Sequence, residues 1–433
     1  MMESFLLFFA FIIALMLFLS TGISVAVAMG MIGVIGTILF ISPNALAQLS
    51  SITFSNSTSF VLMVVPMFVL MTEVISSSPI GAQVFRTTQL WLGRFPGALG
   101  MGTVLTSTGF AAICGSSPVT AAAIGKIAVP EMIKQGYSQR LAIGATAAGG
   151  TLGILIPPSV ALILYGVITE TSIGKLFIAG FLPGALIAVL LCLTFLIIAL
   201  VKPEMVPVVR TKVKWSERFL SLRSVLPIVI LVFFVMGSIY TGFTTPTESA
   251  AIGASTALAI VGLMGYLGRK NIIEILSNTV KTTGMFLFLV IGGVFSAFVL
   301  NRLGIPQSMA TSLLGLDIPG WVIIVLINIL LLVLGMFLDP MSILVIVIPL
   351  FFPTVTALGY DPIWFGIMVT INIEIAAISP PVGFNLFVLK SVVPDVSLGE
   401  IIKGALIFIV PLLIGLIIII LFPEISLFLP NRM

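Results

Sequence analysis

The chain has 433 residues, of which 59% are hydrophobic and 8% are charged, and its mean hydropathy is +1.30. A soluble protein carries about 25% charged residues, so this composition excludes a protein that folds in water. The formal net charge is +4, and in a membrane protein an excess of Lys and Arg reports orientation rather than affinity for nucleic acid. The sequence has no His and two Cys, which disfavours a disulfide framework, a metal site built on His or Cys, and an enzyme that pairs a thiol with a base.

The apolar runs predict an all-α polytopic membrane protein. A membrane-spanning helix needs roughly 20 apolar residues, and the runs suffice for about ten spans plus shorter pieces. We predict three spans, a re-entrant hairpin, a broken span and a final span, followed by the same series again. In chain order these segments are 4–19, 23–41, 59–77, 97–130, 140–169, 176–201, 225–241, 247–266, 283–300, 320–353, 363–390 and 402–422.

An internal repeat accounts for the doubled series. When the sequence is shifted by 223 positions, residues that fix the backbone coincide. They are Gly30 and Gly253, Gly81 and Gly304, Pro96-Gly97 and Pro319-Gly320, Pro130 and Pro353, Gly136-Tyr137 and Gly359-Tyr360, and Pro157-Pro158 and Pro380-Pro381. Because Gly and Pro constrain backbone geometry, we predict two copies of one fold, at residues 1–201 and 225–433.

The charges of matching loops indicate that the second repeat is inverted. The predicted loop at 44–58 has no charge, whereas its counterpart at 267–281 carries three basic residues. Conversely, the predicted loop at 83–96 carries two Arg, and its counterpart at 306–319 has one Asp and no basic residue. Cytoplasmic loops are enriched in Lys and Arg, so matching loops lie on opposite sides of the membrane. Both termini are then predicted to face the periplasm.

The segment 202–224 between the repeats is predicted to be an amphipathic arm. Behind Lys212, the apolar residues Trp215, Phe219 and Leu222 recur at helical spacing beside basic residues. This pattern is typical of a helix that lies on a membrane surface, here the cytoplasmic one. Its expected role is to tie the two repeats together, and lipid sensing is the alternative.

Interrupted helices point to the site, since non-helical backbone at membrane depth is tolerated only inside protein or beside water. The first hairpin tip, Cys114–Thr120, contains small residues and Pro118. The facing break, Gly153–Ser159, contains Pro157 and Pro158, which have no N–H to offer to upstream carbonyls. Freed carbonyls and Ser hydroxyls can bind a hard cation such as Na⁺, while the N-terminus of a half-helix attracts an anion.

The second repeat contains the same arrangement. Its hairpin tip is Gly335–Ser342, and its facing break is Ala376–Asn385. A single Pro in either place could merely kink a helix, but two matched pairs at one offset favour a binding site. No basic residue lies at the two tips, so a bound anion would be neutralised by Na⁺ and by helix ends.

Few acidic residues lie at membrane depth, and each has a structural alternative. Asp339 either ligates Na⁺ or caps the helix behind Pro340, and both interpretations remain open. Glu248 follows Thr245 at the spacing of a capping box, so we favour a structural role. Glu73 and Glu374 are either buried partners or interfacial residues.

These motifs closely resemble those of the large membrane subunit of TRAP (tripartite ATP-independent periplasmic) transporters, the DctM-like subunit. The resemblance runs over essentially the whole chain. It is carried by Gly115–Gly125, Ile127–Met132, Gly136-Tyr137, Ile156–Ser159, Pro183-Gly184, Thr245–Glu248 and Pro380–Gly383. One departure is Ser379, where Thr is commoner in the family, and the hydroxyl is kept.

The resemblance implies a secondary transporter in the bacterial inner membrane, driven by a Na⁺ gradient and without an organic cofactor. It implies two partner proteins: a small four-helix membrane subunit, which we expect to be a separate chain, and a periplasmic substrate-binding protein. Family substrates are organic anions, mainly C4-dicarboxylates, sialic acid and other sugar acids. The family is thought to work as an elevator, in which the hairpins and broken helices move against a scaffold of the remaining spans.

From the repeat and the resemblance together we predict two sodium sites with the substrate between them. The first site comprises Ser116, Ser117, Gly153, Ile156 and Pro157. The second comprises Gly335, Leu338, Asp339, Ala376, Ser379 and Pro380. The substrate is predicted to contact Ser116, Pro118, Ser159, Pro340, Pro381 and Asn385.

Two other functions remain as alternatives. The first is a stand-alone Na⁺/dicarboxylate symporter of the related ion-transporter class, whose hairpin signature is Ser-Asn-Thr rather than Ser116-Ser117-Pro118. The second is an ion channel, which the Gly-rich closed hairpins disfavour. The resemblance also implies that the binding protein, a different chain, does much of the substrate selection.

Overall fold

The computed structural model describes residues 2–93, 95–207, 214–316 and 318–433, and within these ranges every regular element is helical. The helices of the first half are α1 (Met2–Ser20), α2 (Val25–Phe40), α3 (Ala47–Ser57), α4 (Val64–Ser76), α5 (Ile80–Leu92), α6 (Ala98–Cys114), α7 (Ser117–Lys134), α8 (Gln139–Leu155), α9 (Val160–Thr169) and α10 (Ile173–Val201). The connecting segment contains α11 (Trp215–Ser221). The second half contains α12 (Leu226–Tyr240), α13 (Pro246–Leu263), α14 (Arg269–Arg302), α15 (Ile305–Leu314), α16 (Gly320–Gly335), α17 (Pro340–Ala357), α18 (Pro362–Ala377), α19 (Phe384–Val392), α20 (Leu398–Leu421) and α21 (Glu424–Leu427).

Side-chain caps fix where many of these helices begin. Ser138 accepts a hydrogen bond from the Leu141 N–H at the start of α8, and Asp361 accepts bonds from two N–H groups at the equivalent start of α18. A capping residue satisfies donors that the first helical turn leaves unpaired. The two positions differ by the same 223-residue offset, so the repeat extends to helix boundaries.

The chain consists of two repeats with the same order of elements. Helices α6 to α10 correspond, in the same order, to α16 to α20. The first residues of each corresponding pair are 223 positions apart, to within two residues. In both copies a helical hairpin is followed by an interrupted helix and then by a long helix. The hairpins are α6–α7 and α16–α17, and the interrupted helices are α8–α9 and α18–α19.

Contacts with α20 establish that the repeats have opposite orientation. Arg140, at the start of α8, forms an ion pair with Glu400 at the start of α20. Trp364, at the start of α18, donates its Nε1–H to the Ile419 carbonyl near the end of α20, at 2.9 Å. Helix α20 has 24 residues and therefore spans about 36 Å. The equivalent helices α8 and α18 thus enter from opposite ends of one helix, as an inverted repeat requires.

Several helices have the length and composition of membrane spans. Within the residues that the structure describes, five segments do so, one of them the interrupted pair α8–α9, and two bent helix pairs raise the number to seven. The five are Gln139–Thr169, Ile173–Val201, Arg269–Arg302, Pro340–Ala357 and Leu398–Leu421. Other apolar helices, among them α6, α16 and α18, have 16 or 17 residues. A helix of that length falls short of the roughly 20 residues of a full span, which suits half-helices that end inside the protein.

Four predicted loops are wrong, because these segments are largely helical. Residues 44–58 contain α3, which meets α4 at a bend of 57°. The counterpart at 267–281 belongs to the continuous α14, and 83–96 and 306–319 contain most of α5 and α15. Their polar composition resembled that of loops, but polar residues are compatible with helices whose exposed face lies outside the hydrocarbon core. Arg94 and Asp317, which contributed to the charge argument, lie outside the described residues.

The described part of the connecting segment packs on the first repeat. Trp91 of α5 donates its Nε1–H to the Arg218 carbonyl at 3.3 Å, and its ring meets that of Phe219 edge-on. Trp215 and Phe219 are nonetheless mostly exposed, as a helix on a membrane surface requires. The predicted arm also includes Lys212 and its neighbours, which lie outside the described residues, so the role of the whole arm stays a prediction.

Candidate functional site

The first hairpin tip and the first break meet directly. The Val160 N–H, at the start of α9, donates to the Gly115 carbonyl at 3.2 Å. A Cβ on Gly115 would lie 2.5 Å from the Pro158 carbonyl oxygen, and one on Gly153 would lie 2.6 Å from the Ser116 carbonyl oxygen. The two segments approach this closely because both contact positions are Gly. Of the residues predicted for the first sodium site, Ser116 and Gly153 are therefore in direct contact.

The second tip and the second break are joined in a related way. The Gly383 N–H donates to the Met336 carbonyl at 3.2 Å. A Cβ on Gly335 would lie 2.5 Å from the Ala376 Cβ. Thus each break is tied to the hairpin of its own repeat through one backbone hydrogen bond and through close contact at Gly, at two positions in the first repeat and at one in the second. Both breaks also contain a cis peptide bond, at Pro157-Pro158 and at Pro380-Pro381.

The backbone of the first break offers oxygen ligands. Pro157 has no N–H for the Gly153 carbonyl, and the Val160 N–H goes to the hairpin instead of to the Ile156 carbonyl. Carbonyl oxygens without a helical partner are suitable ligands for Na⁺, which prefers hard oxygen donors. Hence the donor set fits the ion that the sequence predicted, with ligands from the backbone rather than from acidic side chains.

Asp339 caps α17. Its Oδ1 accepts hydrogen bonds from the Met341 N–H at 3.1 Å and the Ser342 N–H at 3.2 Å, and its Oδ2 accepts from the Ser342 hydroxyl. The capping interpretation left open by the sequence is therefore correct. A carboxylate has about four lone-pair positions, so three donors leave room for one cation, and its role as a sodium ligand stays a prediction.

Of the remaining residues of the second sodium site, Leu338 and Ser379 are both buried. The Ser379 hydroxyl donates to the Ile375 carbonyl at 2.7 Å, which leaves the lone pairs of its oxygen available. Pro380 is half-buried. The Ala376 carbonyl accepts the Ser379 N–H at 3.0 Å, so one of its lone pairs is used within the break, and its role as a sodium ligand stays a prediction.

The residues predicted to contact the substrate differ in exposure. Ser116 and Pro118 are half-buried and Pro381 is exposed, whereas Pro340 is buried. Ser159 is fully buried, and its hydroxyl donates to the Ile154 carbonyl at 2.5 Å and caps α9. The Ser159 hydroxyl is thus already used within the protein, while contact of any of these residues with a substrate stays a prediction.

Asn385 links the two halves of the site. It is fully buried, and its amide Nδ2 donates to the Ser117 hydroxyl at the start of α7. The first hairpin therefore touches the second break as well as its own. The neighbouring Glu374, which the sequence left unplaced, is also buried beside Ser117. No local sequence pattern predicts this grouping, because Ser117 lies in the first repeat and Glu374 and Asn385 lie in the second.

The capping box predicted around Glu248 is confirmed. The Thr245 N–H donates to Glu248 Oε2 at 2.8 Å, and the Glu248 N–H donates to Thr245 Oγ1 at 3.3 Å. Glu73 of α4 accepts a hydrogen bond from Asn278 of α14 at 3.1 Å. Glu248 therefore stabilises the start of α13, whereas Glu73 links α4 to α14 close to the first hairpin, since the adjacent Thr72 donates to the Ile113 and Cys114 carbonyls at 3.0 Å.

Comparison with known proteins decides the family. The model of the tripartite ATP-independent periplasmic transporter DctM component matches residues 12–425. The chain belongs to this family. It is 38% identical over 399 residues to the C4-dicarboxylate TRAP transporter large permease protein DctM of Pseudomonas aeruginosa, which covers 91% of this chain and 92% of that protein. It is 34% identical to the sialic acid TRAP transporter large permease protein SiaM of Vibrio cholerae, over 86% of this chain and 87% of that one.

The fold of this TRAP permease also occurs in a solved transporter. The Alcanivorax borkumensis YdaH transporter, described as having an unusual topology, matches with a TM-score of 0.61 over 88% of this chain and 89% of its own. Its sequence identity is 16%, so this likeness concerns the fold alone. The chain is thus a multi-pass membrane protein of a family of transporter permeases rather than of enzymes.

Proposed function

We propose that this TRAP permease imports an organic anion by sodium-driven secondary transport. The substrate class is a C4-dicarboxylate, sialic acid or another sugar or carboxylic acid, delivered by a periplasmic binding protein. The observation that carries the proposal is the contact of each hairpin tip with a Pro-Pro break, since these contacts create two oxygen-rich positions inside an apolar protein. The substrates in the names of two relatives, a C4-dicarboxylate and sialic acid, support this substrate class.

In the proposed mechanism Na⁺ binds first at the two tip–break contacts. The first ion is ligated by Ser116, Ser117 and the carbonyls of Gly153, Ile156 and Pro157. The second ion is ligated around Asp339 and Ser379 by the carbonyls of Gly335, Leu338, Ala376 and Pro380. Each ion orders a break and adds positive charge, so Na⁺ and the anion should raise each other's affinity.

The substrate would lie between the two ions, where helix N-termini supply further positive potential. Helices α7 and α9 begin at the first contact, and α17 and α19 begin at the second. The N-terminus of a helix carries a partial positive charge and unpaired N–H groups. These groups can hold a carboxylate without a basic side chain.

The packing supports an elevator with a larger moving part than the sequence predicted. A Cβ on Gly144 of α8 would overlap the Gly404 carbonyl of α20, and a Cβ on Gly180 of α10 would overlap the Leu155 carbonyl. Helices held together by backbone contact move as one body. We therefore assign α10 and α20 to the transport domain with both hairpins and both interrupted helices.

The scaffold would comprise the paired helices α2, α4, α13 and α14. Gly292 of α14 contacts the Ala26 carbonyl of α2, and Gly253 of α13 contacts Met71 of α4. Between the two bodies lies a crevice of about 560 Å³, lined by residues of α3, α9, α14 and α17. A crevice between two compact bodies suits a relative displacement, and the exposed scaffold faces suit the small four-helix subunit.

The proposed orientation follows from the charges. Arg140 and the basic start of α14 are assigned to the cytoplasm, and both termini are assigned to the periplasm. The membrane would be the bacterial inner membrane, because the binding protein is periplasmic.

A stand-alone Na⁺/dicarboxylate symporter remains the second candidate, and the fold shared with a solved transporter keeps it open. Uptake should therefore be measured in proteoliposomes that contain the permease with and without a small subunit and a binding protein. The proposed function predicts uptake that requires both partners and an inward Na⁺ gradient. Uptake that persists without Na⁺ would refute the proposed coupling, and uptake by the chain alone would favour the symporter.

The second sodium site is tested by a matched pair of Asp-Pro caps. Asp339 and Asp361 both cap a helix whose first residue is Pro, and Asn can replace either cap. Because an amide replaces one carboxylate oxygen, Asp339→Asn should raise the Na⁺ concentration for half-maximal uptake about tenfold or more. Asp361→Asn should leave it unchanged. If both variants show the same Na⁺ dependence, Asp339 only caps α17 and is not a sodium ligand.

A further inference from the structure

A buried arginine lies where the connecting segment packs on the first repeat. Arg218 is the middle residue of α11, and only 6% of its surface is exposed. The backbone of α11 is held against α5, because the Arg218 carbonyl accepts the Trp91 Nε1–H and the Ser221 carbonyl accepts the Thr87 hydroxyl at 3.0 Å. The guanidinium lies over the ring of Trp215, with 4.9 Å between Cζ and the ring centroid. Both the backbone and the side chain of Arg218 are thus fixed in place.

The guanidinium has no anionic partner among the residues that the structure describes. The ion pairs found there both involve Glu400, and the neighbouring Glu217 is exposed. The Nε of Arg218 is buried and donates no hydrogen bond within the described ranges. Residues 208–213, which precede the described part of the arm, contain neither Asp nor Glu. A positive charge is therefore buried without a described counter-ion.

This charge requires an anion from outside the chain. An Arg side chain stays charged in proteins, so the cost of burying it is not avoided by loss of a proton. The contact with the Trp215 ring stabilises the cation but supplies no opposite charge. Burial of an ion without its partner is strongly destabilising. Because every guanidinium nitrogen is a hydrogen-bond donor, the missing partner is an anion with acceptor oxygens.

The surroundings of Arg218 indicate that this anion belongs to a lipid. The segment Trp215–Ser224 meets the apolar helix α12 at a bend of 45°, as expected where a chain leaves a membrane span and follows the membrane surface. Trp215, Phe219 and Leu220 are 59%, 61% and 60% exposed. Exposed apolar side chains beside a buried cation match the two parts of a phospholipid, its acyl chains and its phosphate.

The charges of the segment favour an anionic headgroup over a zwitterionic one. Lys214 and Arg223 are exposed on either side of Arg218, and basic residues on a surface helix attract anionic lipids. A guanidinium binds phosphate oxygens through paired N–H···O bonds. In a zwitterionic headgroup, an ammonium group competes with Arg218 for the same phosphate.

We propose that Arg218 and Trp215 form a binding site for the phosphate of an anionic phospholipid. Arg218 donates to the phosphate, Trp215 covers the guanidinium, and the neighbouring exposed apolar residues contact the acyl chains. The bound lipid would hold α11 against α5 and so stabilise the connection between the repeats. The inference requires neither Na⁺ nor a transported substrate, so it can fail without affecting the proposed function.

The test compares the full-length wild type with Arg218→Gln and the matched control Arg223→Gln, which removes an exposed charge from the same segment. The permease is purified without partner proteins, so that no acidic side chain of a partner can supply the anion. Its melting temperature is measured in phosphatidylcholine nanodiscs with increasing fractions of phosphatidylglycerol. Phosphatidylglycerol should raise the melting temperature of the wild type and of Arg223→Gln, and Arg218→Gln should lose most of this rise. An equal rise in all three proteins overturns the site.

The same measurements separate lipid binding from packing. In pure phosphatidylcholine, Arg218→Gln should melt at or above the temperature of the wild type, because the variant has no uncompensated charge. In phosphatidylglycerol the wild type should be the more stable protein. A residue that only packs would instead lower the melting temperature by the same amount in both lipids, and this result would overturn the proposal.

Inorganic phosphate distinguishes a soluble anion from a lipid. Added to the wild type in phosphatidylcholine nanodiscs, it should leave the melting temperature unchanged, because it has no acyl chains for the exposed apolar residues to contact. A rise as large as that with phosphatidylglycerol would overturn the assignment to a lipid.

A second measurement requires no Arg218 variant and covers the case in which Arg218→Gln does not fold. Bromine atoms on acyl chains quench the fluorescence of a Trp that they contact, and Trp215→Phe identifies the part of the emission that belongs to Trp215. Brominated phosphatidylglycerol should quench this part about twofold more than brominated phosphatidylcholine at the same mole fraction. Equal quenching by the two lipids also overturns the site.

Discussion

At the residue scale, the lack of a side chain at Gly115 allows the first hairpin tip to contact the first break. The φ of Gly115 is +61°, which favours Gly, and the position of its absent Cβ is occupied by the Pro158 carbonyl oxygen. Gly242 has a similar φ of +69° but nothing within 4 Å of such a Cβ. The two glycines therefore separate backbone strain from loss of the tip–break contact.

We expect Gly115→Ala to be more destabilising than Gly242→Ala. Both variants incur about 1 kcal/mol of left-handed backbone strain, and the added Cβ at position 115 costs a further ~1–3 kcal/mol because it displaces the Pro158 segment. Melting of the purified variants in one detergent measures the difference. Equal melting temperatures would show that the close contact is unimportant for stability.

A second prediction at this scale concerns Glu248, whose carboxylate accepts hydrogen bonds from Thr245 in a capping box. Glu248→Ala should lower the melting temperature slightly, because the Thr245 N–H loses its acceptor. It should leave the Na⁺ concentration for half-maximal uptake unchanged. A changed Na⁺ dependence at normal stability would instead assign Glu248 to the transport machinery.

At the element scale, the interrupted helices were predictable because their chemistry is local. Pro157 and Pro158 remove N–H donors wherever they stand, and Ser159 follows at a capping position, so the break could be located from sequence. Helix α3 was missed because its polar face resembles a loop over a short stretch. The grouping of Glu374 with Ser117 was missed because it depends on how the two repeats cross, which no local pattern encodes.

The assignment of elements to two moving bodies predicts the effect of cross-links. Gly293 of the scaffold helix α14 lies against Val345 of α17, with 3.1 Å between a built Cβ and the Val345 Cβ. This approaches the roughly 3.8 Å typical of a disulfide. In a background without native Cys, oxidation of the Gly293→Cys/Val345→Cys pair should abolish uptake, and reduction should restore it.

The matched control lies within the proposed transport domain. Arg140 of α8 and Glu400 of α20 form an exposed ion pair, and exposed pairs contribute little to stability. An Arg140→Cys/Glu400→Cys pair joined by a short bifunctional thiol reagent should retain most of the uptake. Loss of uptake with this cross-link would place α20 in the scaffold.

At the scale of the whole molecule, two inverted repeats explain why the tips and breaks meet. The first half of each interrupted helix, α8 or α18, enters from one side and ends near the middle, beside the hairpin of the same repeat. Inversion brings the second set to the same depth from the other side, so α7 meets α19 through Ser117 and Asn385. The repeat itself was predictable from the spacing of Gly and Pro, whereas the contact between its copies was not.

The most direct test of this account is the side of the membrane on which α8 and α18 begin. Single Cys at Arg140 and Asp361, placed in an otherwise Cys-free chain, can be labelled with a membrane-impermeant maleimide in spheroplasts and in inverted vesicles. An inverted repeat predicts labelling of position 361 from the periplasmic side and of position 140 from the cytoplasmic side. Labelling of both positions from the same side would contradict the inverted architecture and, with it, the proposed site.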